Sequence, residues 1–152
     1  MNGNQNISAI MMKELPDEIY AAVKRLSAEG DARARHGDNT EAIERYRAAW
    51  DLLPAPRGQW LAATWLLAAI GDAHYLAGEY FLALSAFTDA IRAPHGLGNA
   101  FLHLRRGQCL FEIGEKTSAA DELMRAYMGG GPEILRAEDP KYLEYLRSVA
   151  IL

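Results

Sequence analysis

Small and large apolar residues recur along the chain at fixed distances from polar ones, and the recurrence repeats three times. Gly30, Gly71 and Gly107 are each followed seven residues later by a second glycine and an acid: Gly37-Asp38, Gly78-Glu79 and Gly114-Glu115. Five residues beyond each second glycine stands an alanine, Ala42, Ala83 or Ala119. A bulky residue follows four later (Tyr46, Phe87, Leu123), then another alanine three later (Ala49, Ala90, Ala126). The registers are 41 and 36 residues apart. Such self-similarity marks a repeat architecture.

The spacing has a mechanical reading. Each second glycine lies between two helical stretches, where a left-handed backbone stops the first of them. The first glycine and the alanines let two antiparallel helices approach closely, and Tyr46, Phe87 and Leu123 fill the space between neighbouring hairpins. Pro54, Pro94 and Pro132 follow the second helices, which proline cannot continue. Helices are therefore predicted near 21–36, 39–53, 58–77, 80–92, 99–113 and 116–128. A lead-in helix over about 14–20 either stands alone or merges with the first. Gly129-Gly130-Gly131 ends the last repeat and a short helix follows near 133–137. A final helix begins at Asp139-Pro140 with Asp139 as N-cap and runs to about 150. Its Tyr142, Leu143, Leu146 and Val149 form an amphipathic set suited to covering the last open repeat face. One hairpin cannot bury its own apolar face, so the hairpins stack.

This pattern resembles the tetratricopeptide repeat family, whose unit reads Trp-x2-Leu-Gly-x2-Tyr, Gly-Asp/Asn-Tyr, Ala, Phe/Tyr, Ala, Pro. Residues 23–56 supply Leu26, Gly30, Gly37-Asp38, Ala42, Tyr46, Ala49 and Pro54. Residues 64–97 supply Leu67, Gly71, Gly78-Glu79-Tyr80, Ala83, Phe87 and Ala90, and residues 100–133 supply Gly107, Gly114-Glu115, Ala119 and Ala126. Arg33, His74 and Leu110 depart from the usual tyrosine, and His103 from the usual Trp or Leu. The greater distance between units one and two is expected to lengthen the first helix of unit two. The resemblance implies an all-α domain over 1–152: three stacked helical hairpins in a short right-handed solenoid, with a capping segment at 134–152.

Composition narrows the function. With 16 basic and 20 acidic residues the net charge is -4, which argues against a general nucleic-acid binder. The start, Met1-Asn2-Gly3-Asn4-Gln5-Asn6, lacks the basic and apolar regions of a signal peptide. The longest apolar run, Trp60 to Ile70 broken by Thr64, is far shorter than the roughly 20 residues that span a bilayer. No membrane partner is expected, and a cytoplasmic location is the reading. Cys109 is the sole cysteine, so no intrachain disulfide forms.

Candidate chemistry is sparse. His36, His74, His95 and His103 contain no i, i+4 pair of the kind that binds zinc on a helix; His74 and His103 fall at repeat-core positions. Cys109, within Gly107-Gln108-Cys109-Leu110-Phe111, reads as a buried small hydrophobe without a base beside it. Gly129-Gly130-Gly131-Pro132 lacks the strand and the Lys-Ser/Thr ending of a phosphate loop. Gly96-Leu97-Gly98-Asn99 is a connector, with Asn99 a helix N-cap. Pairs such as Asp121-Glu122 favour helix N-termini or face solvent. No catalytic residue, metal ligand or cofactor is assigned.

The resemblance implies a concave groove lined by the first helix of each hairpin. Carried over by register, its residues are Lys24, Ser27, Asp31 and Arg35 from unit one and Trp65, Ala68, Asp72, Tyr75 and Leu76 from unit two. Unit three supplies Phe101, Leu104, Arg105, Gln108, Phe111 and Glu112. Aromatic and arginine side chains are the usual anchors of interfaces, but Trp65, Phe101 and Phe111 equally suit packing against the lead-in or final helix. Trp60 is either a helix-end staple or a lone contact. The family's peptide-carboxylate clamp uses Lys, Asn and Arg, whereas Asp31, Asp72 and Gln108 stand at the corresponding places. The groove therefore suits a basic or mixed partner rather than a carboxylate-terminated one. The expected function is non-catalytic binding of a protein or peptide. Segments 98–108, 126–133 and 138–142 are also similar to small bacterial immunity proteins of this fold that neutralise a cognate secreted toxin. An adaptor or secretion-system chaperone is the alternative, and open solenoid ends make a homodimer a further candidate.

Overall fold

The computed structural model describes residues 15–152; the expectations that concern 1–14 lie outside the described residues. These residues form eight helices in order: α1 (Asp17–Arg35), α2 (Asn39–Leu52), α3 (Leu61–Leu76), α4 (Tyr80–Arg92), α5 (Ala100–Glu112), α6 (Lys116–Gly130), α7 (Glu133–Arg136) and α8 (Pro140–Val149). Among the described residues there is no strand. The lead-in helix merges with the first predicted one: α1 starts after Pro16, with Asp17 and Glu18 in its first turn, where carboxylates suit the positive helix end.

The three hairpins turn identically. Gly37, Gly78 and Gly114 have φ of +80°, +78° and +89°. In each, the N–H of the following acid reaches back to the carbonyl of Arg33, His74 or Leu110 (3.0, 2.9 and 2.9 Å). This is a Schellman closure, which satisfies carbonyls the ending helix leaves without a partner. The acids Asp38, Glu79 and Glu115 begin the next helix without a side-chain capping bond. Asn99 and Asp139 do cap, accepting from the N–H of Leu102 and Lys141.

The first glycines permit the close approach expected of them, and the bulky residues are what they approach. A Cβ on Gly30 would lie 2.5 Å from the Tyr46 ring, on Gly71 2.9 Å from Phe87, and on Gly107 2.9 Å from Leu123. Tyr46, Phe87 and Leu123 thus seal their own hairpin. Phe87 also reaches the next, with the Phe101 ring edge-on at 6.4 Å.

The extra residues between units one and two do not all join the helix. α3 begins ten residues before Gly71 and α5 seven before Gly107, so α3 gains about a turn. The rest forms the connection Leu53–Trp60, with a 3₁₀ turn at Arg57–Gln59. Trp60 is the helix-end staple: its indole N–H donates to the Pro54 carbonyl at 2.8 Å.

Apolar side chains form three contiguous groups. Val23, Tyr46, Leu66 and Ile70 join α1, α2 and α3; Phe87, Leu102 and Cys109 join α4 to α5, with Leu67 of α3 against them. Leu104, Leu123, Leu135, Tyr142 and Leu146 join α5 and α6 to the C-terminal helices. Burying each large side chain contributes roughly 1.5–3 kcal/mol. In α8, Tyr142 and Leu146 are buried as expected, whereas Val149 is 55% exposed.

Candidate functional site

The inner helices α1, α3 and α5 enclose a cleft of about 440 Å³ lined by Ser27, Asp31, Tyr46, Thr64, Trp65, Ala69, Asp72, Phe101 and neighbours. A second hollow of about 340 Å³ runs on from it toward the start of α1, sharing Ser27, Asp31, Trp65 and Leu66 and adding Tyr20 and Lys24. Trp65 is 60% exposed and Phe101 39%. Asp31 accepts the Tyr46 hydroxyl at 2.7 Å. Burial first, then that carboxylate, pushes the Tyr46 phenol well above its ordinary value, so it stays a neutral donor. Thr64, on the cleft lining, donates to the Pro94 carbonyl at 2.7 Å.

The other half of the concave face is occupied by the chain itself. Arg105 Nε donates to Asp72 (2.7 Å), and its Nη1 to Gln108 (2.9 Å) and Glu138 (3.2 Å). The guanidinium lies 4.6 Å from the Tyr75 ring centre and 5.2 Å from that of Phe101. Burial opposes its charge, but Asp72 and Glu138 outweigh burial and hold it above the ordinary arginine value. Tyr142 of α8 donates to Glu112 at 2.7 Å and shares a hydrogen bond with the Tyr75 hydroxyl at 3.0 Å. Phe111 stacks edge-on against Tyr142 and Tyr145 at 5.3 and 5.4 Å.

The predicted groove residues therefore divide. Asp31, Trp65, Asp72 and Phe101 come together on the open cleft, with Ser27 and Ala68 at its walls and Lys24 in the adjoining hollow. Tyr75, Arg105, Phe111 and Glu112 contact the C-terminal segment instead. Leu104 and Gln108, expected on the groove, are buried at 2% and 0% exposure; Leu104 packs with Leu135 and Leu146. Gln108 Nε2 has no hydrogen-bond partner among the described residues. Arg35 and Leu76 are exposed but line neither hollow. Register alone did not single out Tyr46, Thr64 or Ala69 as cleft walls, because they sit at core or uncounted positions of the repeat.

Four further titratable side chains, His74, His103, Cys109 and Glu122, are buried within the fold. His103 Nδ1 lies 2.6 Å from Glu122 and its Nε2 accepts the Gly98 N–H, so the ring donates through Nδ1. Arg106 adds a 2.6 Å bond to Glu122, which is buried at 8% exposure and not on the solvated face expected of it. His74 Nδ1 faces Glu79 at 3.2 Å. Burial pushes the Cys109 thiol up to about 12, far from the thiolate a nucleophile requires. Among the described residues no three His, Cys, Asp or Glu side chains cluster to hold a metal ion. No described helix is long and apolar enough to cross a membrane.

Fold and cleft together define an all-helical repeat module with a partly open inner face. Its architecture is the tetratricopeptide repeat fold, as comparison with solved structures shows. The first TPR of Spaghetti (RPAP3), solved with the HSP90 peptide SRMEEVD, superposes with a TM-score of 0.65 at 17% identity, covering 84% of this chain and 90% of that one. The Yersinia enterocolitica type III secretion chaperone SycD, in complex with a peptide of the translocator YopD, gives 0.68 at 15% identity, covering 89% and 95%. The C-terminal TPR-containing domain of a putative FK506-binding protein of Plasmodium falciparum gives 0.68 at 13%, covering 90% and 91%. No family model matches the sequence, and no curated protein does.

Proposed function

We propose that this chain is a non-catalytic interaction module that holds a short segment of a protein partner in the cleft between α1, α3 and α5. The observation that carries this reading is Trp65, a large aromatic left 60% exposed over a 440 Å³ hollow on a face whose other half is closed. Exposed aromatics beside a concavity are typical binding anchors. The Spaghetti and SycD domains were both solved with peptides, which supports the same class of ligand here.

The small extent of the open cleft favours a peptide segment over a folded domain, and so an adaptor or secretion-chaperone role. Neutralisation of a cognate toxin is the finer alternative, and there a loop of the toxin would occupy the cleft. Chemical cross-linking in the native host tests the reading. A partner that cross-links near Trp65 in the wild type and is lost with Trp65→Ala is the expected result. A partner retained by Trp65→Ala and mapped to the outer helices α2, α4 or α6 overturns it.

A further inference from the structure

The junction between hairpins two and three carries its own arginine, and the junction before it does not. In the repeat registers, Asp72 corresponds to Asp31 and Phe101 to Trp65, while Arg105 corresponds to Ala69. At the second junction the acid and the aromatic hold the Arg105 guanidinium, at 2.7 Å from Asp72 and 5.2 Å from the Phe101 ring centre. At the first junction the acid and the aromatic remain, but a methyl group replaces the arginine side chain. Asp31, Trp65 and Ala69 all line the 440 Å³ cleft. The hollow is where the absent side chain would lie.

The charge in the cleft points the same way. Among the described residues its lining includes Asp31 and Asp72 and no Lys or Arg, and Lys24 lines the adjoining hollow. Among the described residues, the hydrogen bond on Asp31 comes from a neutral phenol onto Oδ1, which leaves Oδ2 for a ligand. Arg105, the cation nearest Asp72, is also committed to Glu138. A planar guanidinium suits both requirements: it donates to a carboxylate through its fork and stacks on an indole face, which a compact ammonium does less well.

We propose, building on the reading above, that the cleft receives one arginine side chain from the partner segment. Its guanidinium pairs with Asp31 and lies over Trp65, repeating in trans the arrangement that Arg105 makes in cis with Asp72 and Phe101.

Full-length ¹⁵N-labelled protein, followed through the Trp65 indole N–H and the α1 and α3 amides, tests this. The probes are three peptides: acetyl-Gly-Leu-Arg-Leu-Gly-amide and its analogues with citrulline or glutamate in place of arginine. The expected result is binding of the arginine peptide on the concave face, with the citrulline peptide at least about tenfold weaker. Asp31→Asn weakens the arginine peptide to the citrulline level. Ala69→Arg supplies the side chain from within and abolishes binding while the chain stays folded; should that variant fail to fold, Asp31→Asn decides. Equal binding of the arginine and citrulline peptides, or tightest binding of the glutamate peptide, overturns the arginine assignment but leaves a peptide cleft. Absence of any concave-face response to all three overturns the assignment and the wider reading together.

Discussion

Two kinds of glycine hold the hairpins, and they fail in different ways. Gly71 has no room for a side chain, because a Cβ would meet three Phe87 ring atoms at 2.9–3.0 Å and that ring is fully buried. Gly71→Ala is expected to cost about 1–3 kcal/mol through overpacking. Gly78 has open space around it but φ of +78°, so Gly78→Ala is expected to cost roughly 1–2 kcal/mol of backbone strain alone. Urea unfolding measures both. Restoring space with Phe87→Leu should recover part of the Gly71→Ala loss and none of the Gly78→Ala loss. Cys109 gives a chemical check at the same scale: buried at 0% exposure with its thiol raised, it should resist Ellman's reagent near about pH 8 until the chain unfolds. The close helix approach and the turns were legible in advance because glycine and acid recur at constant spacing; the bulky residues were expected between neighbouring hairpins, whereas each packs first on the glycine of its own. The burial of Glu122 was not legible. A carboxylate beside Asp121 in the first half of a helix looks like a surface charge, and only folding brings His103 and Arg106 against it.

Helix α8 acts as a cover, and its hold is partly ionic. Glu112 accepts from Tyr142 and pairs with Lys141. Burial works to raise its pKa, but the bonds from Lys141 and Tyr142 outweigh burial and hold it below the ordinary 4.5. A depressed carboxyl contributes its full stability above that ordinary value and loses it as pH falls through the lower folded value. The gap in thermal midpoint between wild type and Glu112→Gln should therefore be widest near neutral pH and shrink below about pH 4.5. A gap that persists unchanged into acid would show that the charge is irrelevant. The apolar part of the hold is Leu146, 1% exposed; Leu146→Ala should cost about 2–5 kcal/mol, measured by the same unfolding. The sequence predicted this helix, its cap and the burial of Tyr142 and Leu146, though not the exposure of Val149. It did not reveal that the helix closes half the groove, because Arg105 and Glu138 meet across 33 residues and no repeat register relates them. Leu104 was misplaced for the same cause: the register turns it toward the groove, and Leu135 and Leu146 then cover it.

At the scale of the whole molecule the three apolar groups follow one another along the stack, each shared only between neighbours. Such an arrangement transmits stability locally. The second junction is fastened by Arg105, a side chain only 12% exposed. Arg105→Ala leaves the Asp72 and Glu138 carboxylates without that cation and should cost about 1.5–3 kcal/mol. A second loss is expected with it: amides of α8 should exchange faster with deuterium, because Glu138 is released. Uniform exchange across the molecule in this variant would contradict the local picture.

The unequal fastening of the two junctions has a mechanical consequence. One end of the stack behaves like a vice already tightened on its own screw, the other like jaws left apart at a set width. Hydrogen exchange should find α1 and α2 less protected than α5 and α6. Whatever enters the jaws would stiffen the slack end, so a guest held at Asp31 would be felt as a change in rigidity across the first hairpin, at residues beyond those it touches.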